Sequence, residues 1–468
     1  MIFPTIQFAI FFVVVLTASW LLQPYPRRWK IFMLCASYFF YGSWDWRFLG
    51  LLAFTTVVDH TVGGAIHRTE DPVHRRRLLI LGVVVSLGVV AYFKYYDFFA
   101  SSLVNLFRPL GIDLPLPILN MILPVGISFF TFQSLSYTID IYRRKLEPVP
   151  LLDFAVFVSF FPHLVAGPIV RGSEFLPQLK ERHDPRRVQG AAAFALIAAG
   201  LFKKVVVANT LATSLVDPVF ASPQNFSAAE VLIGIYAYAV QIFADFSGYT
   251  DMAIGVALLL GFRFPQNFDR PYTATSLQDF WRRWHMTLSR FLRDYLYVPL
   301  GGNRQGRAAT YRNLMITMVI GGLWHGAAWT FVLWGALHGI GLSIERWWGE
   351  QRPKTEAGAS GRWLPRVVTF HVVCLGWVLF RSDSVATAGT VLSRLAEWGP
   401  APAVTPALIA LVVGGLASQY LPTDYRLRMR VAFSQLRPLA IAAILGGTLL
   451  VVDALGPEGV APFIYFQF

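Results

Sequence analysis

Apolar runs near the length of a bilayer crossing recur along this chain: Ile2–Leu22, Ile31–Phe40, Phe48–Val62, Leu78–Phe93, Pro117–Ile141, Phe154–Val165, Ala191–Val207, Ala228–Asp245, Met252–Phe262, Leu314–Leu323, Ala327–Ile344, Val367–Phe380, Pro406–Ser418 and Leu439–Val452. A helix needs about 20 predominantly apolar residues to cross the hydrocarbon core, so the shorter runs suit re-entrant or protein-buried helices as readily as spans. The pattern predicts an all-α polytopic membrane protein with about ten to twelve crossings plus half-membrane pieces. Prolines at Pro124, Pro162, Pro168 and Pro177 break helices by removing a donor and clashing with the preceding turn. The Phe160–Arg171 stretch therefore reads as a re-entrant or irregular segment lining a cavity.

Composition agrees with this reading. With 55% hydrophobic and 14% charged residues, a chain of 468 residues has too little polar surface to cover a soluble globule. The net charge of +13 does not imply nucleic-acid binding, because the basic residues sit in short loops where lysine and arginine set membrane orientation. Placing Arg27-Arg28-Trp29-Lys30, His74-Arg75-Arg76-Arg77, Arg143-Arg144-Lys145 and the stretch from Arg263 to Arg312 on the cytoplasmic side gives one workable threading. In it, Met1–Thr5 lies outside and Ile31–Phe40 forms a hairpin with Phe48–Val62. No positively charged region precedes the first apolar run, so a cleavable leader is not expected. Cys35 and Cys374 both fall in apolar runs, support no disulfide framework or zinc site, and read as small core residues.

No polar stretch is long enough to bury a core of its own, so residues 1–468 read as a single membrane-embedded domain. The longest hydrophilic segment, residues 263–313, mixes aromatic and basic residues and suits helices in the cytoplasmic interface or tucked under the bundle. A second basic linker, Arg346 to Arg366, contains Pro353, Gly358 and Gly361 and reads as a mobile loop; the aromatic end Phe463–Phe468 suits an interfacial belt. An internal repeat, which would favour a secondary transporter, is not evident.

Histidine is where chemistry is expected. His325 lies in Gly321-Gly322-Leu323-Trp324-His325-Gly326, and an ionisable side chain at membrane depth is a functional hypothesis by default. The flanking glycines let another backbone or a ligand approach the ring. From the residues alone, a structural and a catalytic His325 stand level. His338, among Gly335, Gly339 and Gly341, suits a structural hydrogen bond to a neighbouring helix. His285 follows Trp281-Arg282-Arg283-Trp284, whose cations disfavour its charged form. His163 is a fourth candidate, and His67, His74 and His183 read as solvated loop residues. Asp245 and Asp251, six residues apart, lie about 120° apart around a helix and do not converge for paired-carboxylate hydrolysis; one of them suits a structural bond to Arg or Tyr. A Walker loop and a nucleophile elbow are absent.

The motifs Leu123-Pro124-Val125-Gly126, Asp245-Phe246-Ser247-Gly248-Tyr249, Asn267-Phe268 with Pro271-Tyr272, Asp279-Phe280-Trp281-Arg282-Arg283-Trp284-His285, Pro299-Leu300-Gly301-Gly302-Asn303-Arg304 and Gly322-Leu323-Trp324-His325-Gly326 together resemble the membrane-bound O-acyltransferases. Within that family the wording is closest to the bacterial branch of alginate acetylation and teichoic-acid D-alanylation. The resemblance implies a helical bundle around a central funnel, with His325 as the active-site histidine and His285 as the second polar residue of the site. It also implies a bacterial inner-membrane location and transfer of an acetyl group from acetyl-CoA, a substrate and not a resident cofactor. Its expected partners are membrane lipid, a periplasmic SGNH or esterase-like protein, and the machinery of an exopolysaccharide such as alginate. Arg282, Arg283, Arg290 and Arg293 are candidates to hold the coenzyme A phosphates, since guanidinium forks match phosphate oxygens; positive-inside topology alone is the simpler account of them. A polytopic transporter or channel, or a non-catalytic subunit of a polysaccharide-modifying complex, are the competing readings.

Overall fold

Helix starts in this protein follow local capping chemistry. In the computed structural model, which describes residues 3–351, 363–422, 431–433 and 435–455, α1 (Ile6–Leu22) begins where the Thr5 side chain accepts from the Phe8 amide. Pro26 sits at the first position of α2 (Pro26–Asp45), where its missing N–H costs nothing. α2 stops at Asp45, whose extended backbone and side chain cap a short 3₁₀ turn before α3 (Leu49–Arg68). Asp71 and Pro72 together open α4 (Pro72–Val90).

Contacts along the chain divide it into two compact units, Met1–Val188 with Val256–Phe264, and Gln189–Gly255 with Pro265–Phe468. In the first, α3 packs chiefly on α4 and on α6 (Ile127–Tyr142), while α2 packs on α1 and on α7 (Leu151–Ser159). α3 also packs on α7, so α2 and α3 share that helix as a neighbour and touch each other as well. α5 (Tyr96–Phe107) is followed by irregular backbone up to Gly126, so the Pro117–Ile141 run is helical only in its second half. The expected break at Pro162 is present: α7 ends at Ser159, and Phe160–Val170 is wholly buried. α1 and α4 turn Ile6, Ile10, Val13, Ile80, Leu81 and Val84 outward, the apolar exterior that lipid requires. Cys35 is also exposed, so only Cys374 is a core residue.

The second unit contains α8 (Gly190–Leu201), which runs on through π-helical turns to Ala221, and α9 (Ala228–Leu259), whose last turn belongs to the first unit. The sequence pattern splits α9 at its two aspartates; the helix is continuous because both acids are neutralised in place. Lys204 meets Asp245 at 2.7 Å with both side chains 4% exposed, and Lys203 pairs with Asp251. The expected partner for such an acid was Arg or Tyr; lysines from the π-helical turn after α8 take that role. Two short helices follow, α10 (Leu277–Trp281) and α11 (Met286–Leu292). Then come α12 (Gly306–His325), α13 (Trp329–Gln351), α14 (Trp363–Arg381), α15 (Val385–Arg394), α16 (Pro406–Ala417) and α17 (Pro438–Leu455). Residues 352–362 of the second basic linker and the end Phe463–Phe468 lie outside the described residues.

Five helical stretches among the described residues are long and apolar enough to cross a membrane, and the shorter apolar helices Ile6–Leu22, Pro406–Tyr420 and Leu439–Thr448 join them. The protein is an all-α, multi-pass membrane protein, with fewer full-length crossings by this measure than the apolar runs suggest.

Candidate active site

His325 is the last residue of α12. Gly326 turns the chain to extended backbone (φ −159°), and α13 begins at Trp329, so the apolar stretch from Gly321 to Ile344 is a tight helical hairpin and not one helix. The hairpin closes on glycine: a Cβ at Gly322 would strike the Phe331 carbonyl, and one at Gly335 that of Met318. What the glycines admit is the backbone of the facing helix. His325 is 3% exposed and stands edge-on to three rings, with centroids at 4.9 Å for Trp324, 5.2 Å for Trp334 and 5.1 Å for Phe380.

His285 lies at the junction of α10 and α11 in the left-handed region (φ 41°, ψ 54°), a costly conformation for a residue with a Cβ and one that persists only where the surroundings impose it. It is fully buried, packed 4.6 Å from Phe246 and 5.8 Å from Trp324. The two imidazoles thus share one indole, Trp324. Nδ1 of His285 lies 3.1 Å from Oδ1 of Asn267, and its Nε2 is buried with no hydrogen-bond partner. Burial disfavours its charged form.

His338 hydrogen-bonds a neighbouring segment, as its sequence context suggests. The Trp281 indole N–H donates to its Nδ1 at 3.3 Å, and Trp334 stands 4.9 Å from its ring. His325, Trp334, His338 and Trp281 therefore form a continuous run of touching rings.

Trp281 also lines a cavity of about 1440 Å³, larger than the usual site for a drug-sized ligand. Arg282, Arg290, Arg293 and Arg346 line it, with Glu345 and Glu350 opposing them in charge. Arg293 pairs with Asp294 at 2.7 Å, and Glu345 accepts from the backbone of Leu277 and Gln278 at the start of α10. Arg283 is absent from this wall, because Asp279 holds it at 2.8 Å and Asp269 lies at 3.9 Å. Within the 263–313 segment, Phe280, Trp284 and His285 are fully buried side chains.

A model of the membrane-bound O-acyltransferase family matches residues 68–382, a span that includes every side chain of this site. The chain belongs to that family. It is 43% identical to a probable alginate O-acetylase AlgI of Pseudomonas aeruginosa, over 80% of this chain and 71% of that protein. To the corresponding protein of Pseudomonas putida it is 37% identical over 94% of this chain and 95% of that one. A peptidoglycan O-acetyltransferase of Helicobacter pylori is 39% identical over 80% of this chain and 76% of its own length.

In this O-acyltransferase, three of the four arginines singled out in the sequence come together on one cavity and the fourth does not. Sequence reasoning gave no role to three residues that build the site: Asn267, which holds His285; Trp281, which joins His338 to the cavity wall; and Arg346, which extends the basic wall from α13. Asn267 stood inside a recognised motif, but nothing in an 18-residue separation says that it meets His285.

Proposed function

We propose that this acyltransferase moves an acetyl group from cytoplasmic acetyl-CoA across a bacterial inner membrane, toward O-acetylation of an extracellular polysaccharide such as alginate. In this reading a periplasmic esterase-like partner receives the group and passes it to the polymer. The observation that carries the proposal is the pair of buried imidazoles sharing Trp324 in a chain so similar to alginate and peptidoglycan O-acetylating proteins.

His325 acts as general base. It takes the proton of an acceptor hydroxyl as the oxygen attacks the thioester carbonyl, the tetrahedral intermediate expels the coenzyme A thiolate, and the imidazolium returns its proton to that leaving group. General-base assistance of this kind contributes roughly 10²–10⁴ in rate. His285, the second polar residue of the site, offers the Nε2 lone pair to a donor group of the bound substrates other than the hydroxyl whose proton His325 takes. The phosphates of the donor bind Arg282, Arg290, Arg293 and Arg346 at the cavity wall, where guanidinium groups offer paired donors to phosphate oxygens.

The test is acceptor-dependent release of free coenzyme A from labelled acetyl-CoA by purified protein in vesicles. Release is expected from the wild type and not from His325→Ala of equal expression and monodispersity. Undiminished release by that variant overturns the role of His325; no release from the wild type with an esterase-like partner supplied as acceptor overturns the donor and acceptor assignment.

A further inference from the structure

Three donors converge on a single atom beneath His285. Oδ1 of Asn267, a residue 1% exposed, receives the Thr287 backbone N–H at 3.1 Å, the Thr287 hydroxyl at 2.9 Å, and faces Nδ1 of His285 at 3.1 Å. A backbone N–H can only donate, so this atom is the amide oxygen and not the nitrogen. An oxygen accepting from Thr287 can be met by His285 only through an Nδ1–H. A neutral imidazole with its proton on Nδ1 carries its lone pair on Nε2, the nitrogen that is buried and has no partner.

The same residue holds the backbone. α11 has no side-chain cap from His285 itself; the carbonyl oxygen of Asn267 accepts from Met286 N at 2.9 Å and its side chain takes the next amide, that of Thr287. These are the first two orphan donors of the helix. By filling both, Asn267 fixes the left-handed turn that points the ring at Trp324. Its own amide nitrogen reaches Oγ1 of Thr250 on α9, at 3.5 Å.

We propose that Asn267 is a positioning residue for the acyl transfer: it sets the tautomer of His285 and the backbone turn that aims Nε2, and so makes that nitrogen a lone-pair acceptor for a donor group of the bound substrates other than the reacting hydroxyl. The inference rests on the acetyl-transfer reading for its catalytic consequence, but the tautomer can be read without any turnover. The rings against His285 are Phe246, Phe268 and Trp324. The ionisable groups on the elements packed around it include Asp245, Tyr249 and Asp251 on α9, the first and last paired with Lys204 and Lys203; Asp269, Arg270, Tyr272, Asp279, Arg282, Arg283 and Arg290 on its own stretch of chain; and His325 beyond Trp324.

The experiment uses the full-length protein in detergent or vesicles with ¹⁵N-labelled histidine, His285 being assigned by the signal lost in His285→Gln. The wild type is expected to show the Nδ1–H tautomer, the minor form of free imidazole, and Asn267→Leu to lose it. Asn267→Asp, which keeps an oxygen acceptor and preserves the fold should the leucine variant fail to assemble, is expected to keep Nδ1 protonated and to move the acid limb of the pH–rate profile upward, since an adjacent carboxylate favours imidazolium. In kinetics, Asn267→Leu is expected to lower kcat by about 10²-fold with KM for acetyl-CoA unchanged. An Nε2–H tautomer in the wild type, or an unmoved tautomer in folded Asn267→Leu, overturns the inference whatever the activity. So does an unshifted pH profile in active Asn267→Asp. A shifted tautomer with no transfer by any variant, wild type included, leaves the positioning intact and overturns the acetyl-transfer reading instead.

Discussion

By the usual signs His163, which belongs to the first unit, and His285, which belongs to the other, are the same kind of residue. Both are fully buried, both are ringed by aromatic side chains, and each has one nitrogen bonded and the other buried with no partner. The difference lies in what holds them. His163 bonds the carbonyl of Phe157, six residues away at the end of the helix before it, and sits among Phe157, Phe160, Phe175 and Phe264. His285 is gripped by a side chain 18 residues distant, in a strained turn, beside a ring that also touches a second imidazole. Burial and a bare nitrogen do not distinguish a site from a packed core; a dedicated acceptor and imposed backbone strain do.

The largest effect should come from His325 itself. His325→Ala is expected to lower acetyl transfer by roughly 10²–10⁴ while leaving the protein folded, measured as acceptor-dependent coenzyme A release. Next, the two buried histidines can be set against each other directly. His285→Ala should cost about 10² in kcat, whereas His163→Leu, which keeps the apolar cage filled, should leave the rate within a few-fold and register in thermal stability instead. Equal losses of rate from both would erase the distinction drawn between them.

Most of the architecture was legible because lipid forces it: apolar runs gave α1, α3, α4, α8, α14 and α16 nearly as they stand, and Pro162 marked a real break. The failures have a common cause. α9 looked interrupted because Asp245 and Asp251 are unfavourable in an apolar helix; their lysine partners are neighbours in a different run, and pairing across helices leaves no periodic trace. His325 was legible as a buried imidazole between glycines, and the basic cluster as a phosphate-binding candidate. That Arg283 turns to Asp279 and Asp269 while Arg346 joins the cavity from α13 depends on tertiary packing. Asn267 escaped for the same reason, since its partner comes close only after the chain has doubled back.

A third substitution asks whether charge or packing keeps the His285 neighbourhood in register. The Lys204–Asp245 pair lies one residue from Phe246, which contacts the His285 ring. Lys204→Met strands a buried carboxylate and should destabilise the protein by about 3–5 kcal/mol. Adding Asp245→Asn should restore most of that loss, as read by thermal unfolding in detergent. If the double variant is stable and still transfers acetyl groups, the ion pair is structural support for α9. A stable double variant without transfer would place the pair in the chemistry, beside Asn267.

The smallest expected effect separates the arginines. Arg282 and Arg290 line the cavity, whereas Arg283, their neighbour in sequence, is committed to Asp279 and Asp269. Replacing Arg282 or Arg290 by Gln should raise KM for acetyl-CoA several-fold with kcat little changed, because a contact to a phosphate far from the reacting carbonyl is made equally in ground and transition states. The rise should be smaller at high salt, where an exposed cation on an anionic ligand is already screened. Arg283→Gln removes a partly exposed ion pair within one short stretch and should leave KM unchanged. A uniform rise across all three positions would mean that the donor senses the net positive potential of the segment and not the shaped wall, and a salt titration of wild-type KM alone would then reproduce the whole series.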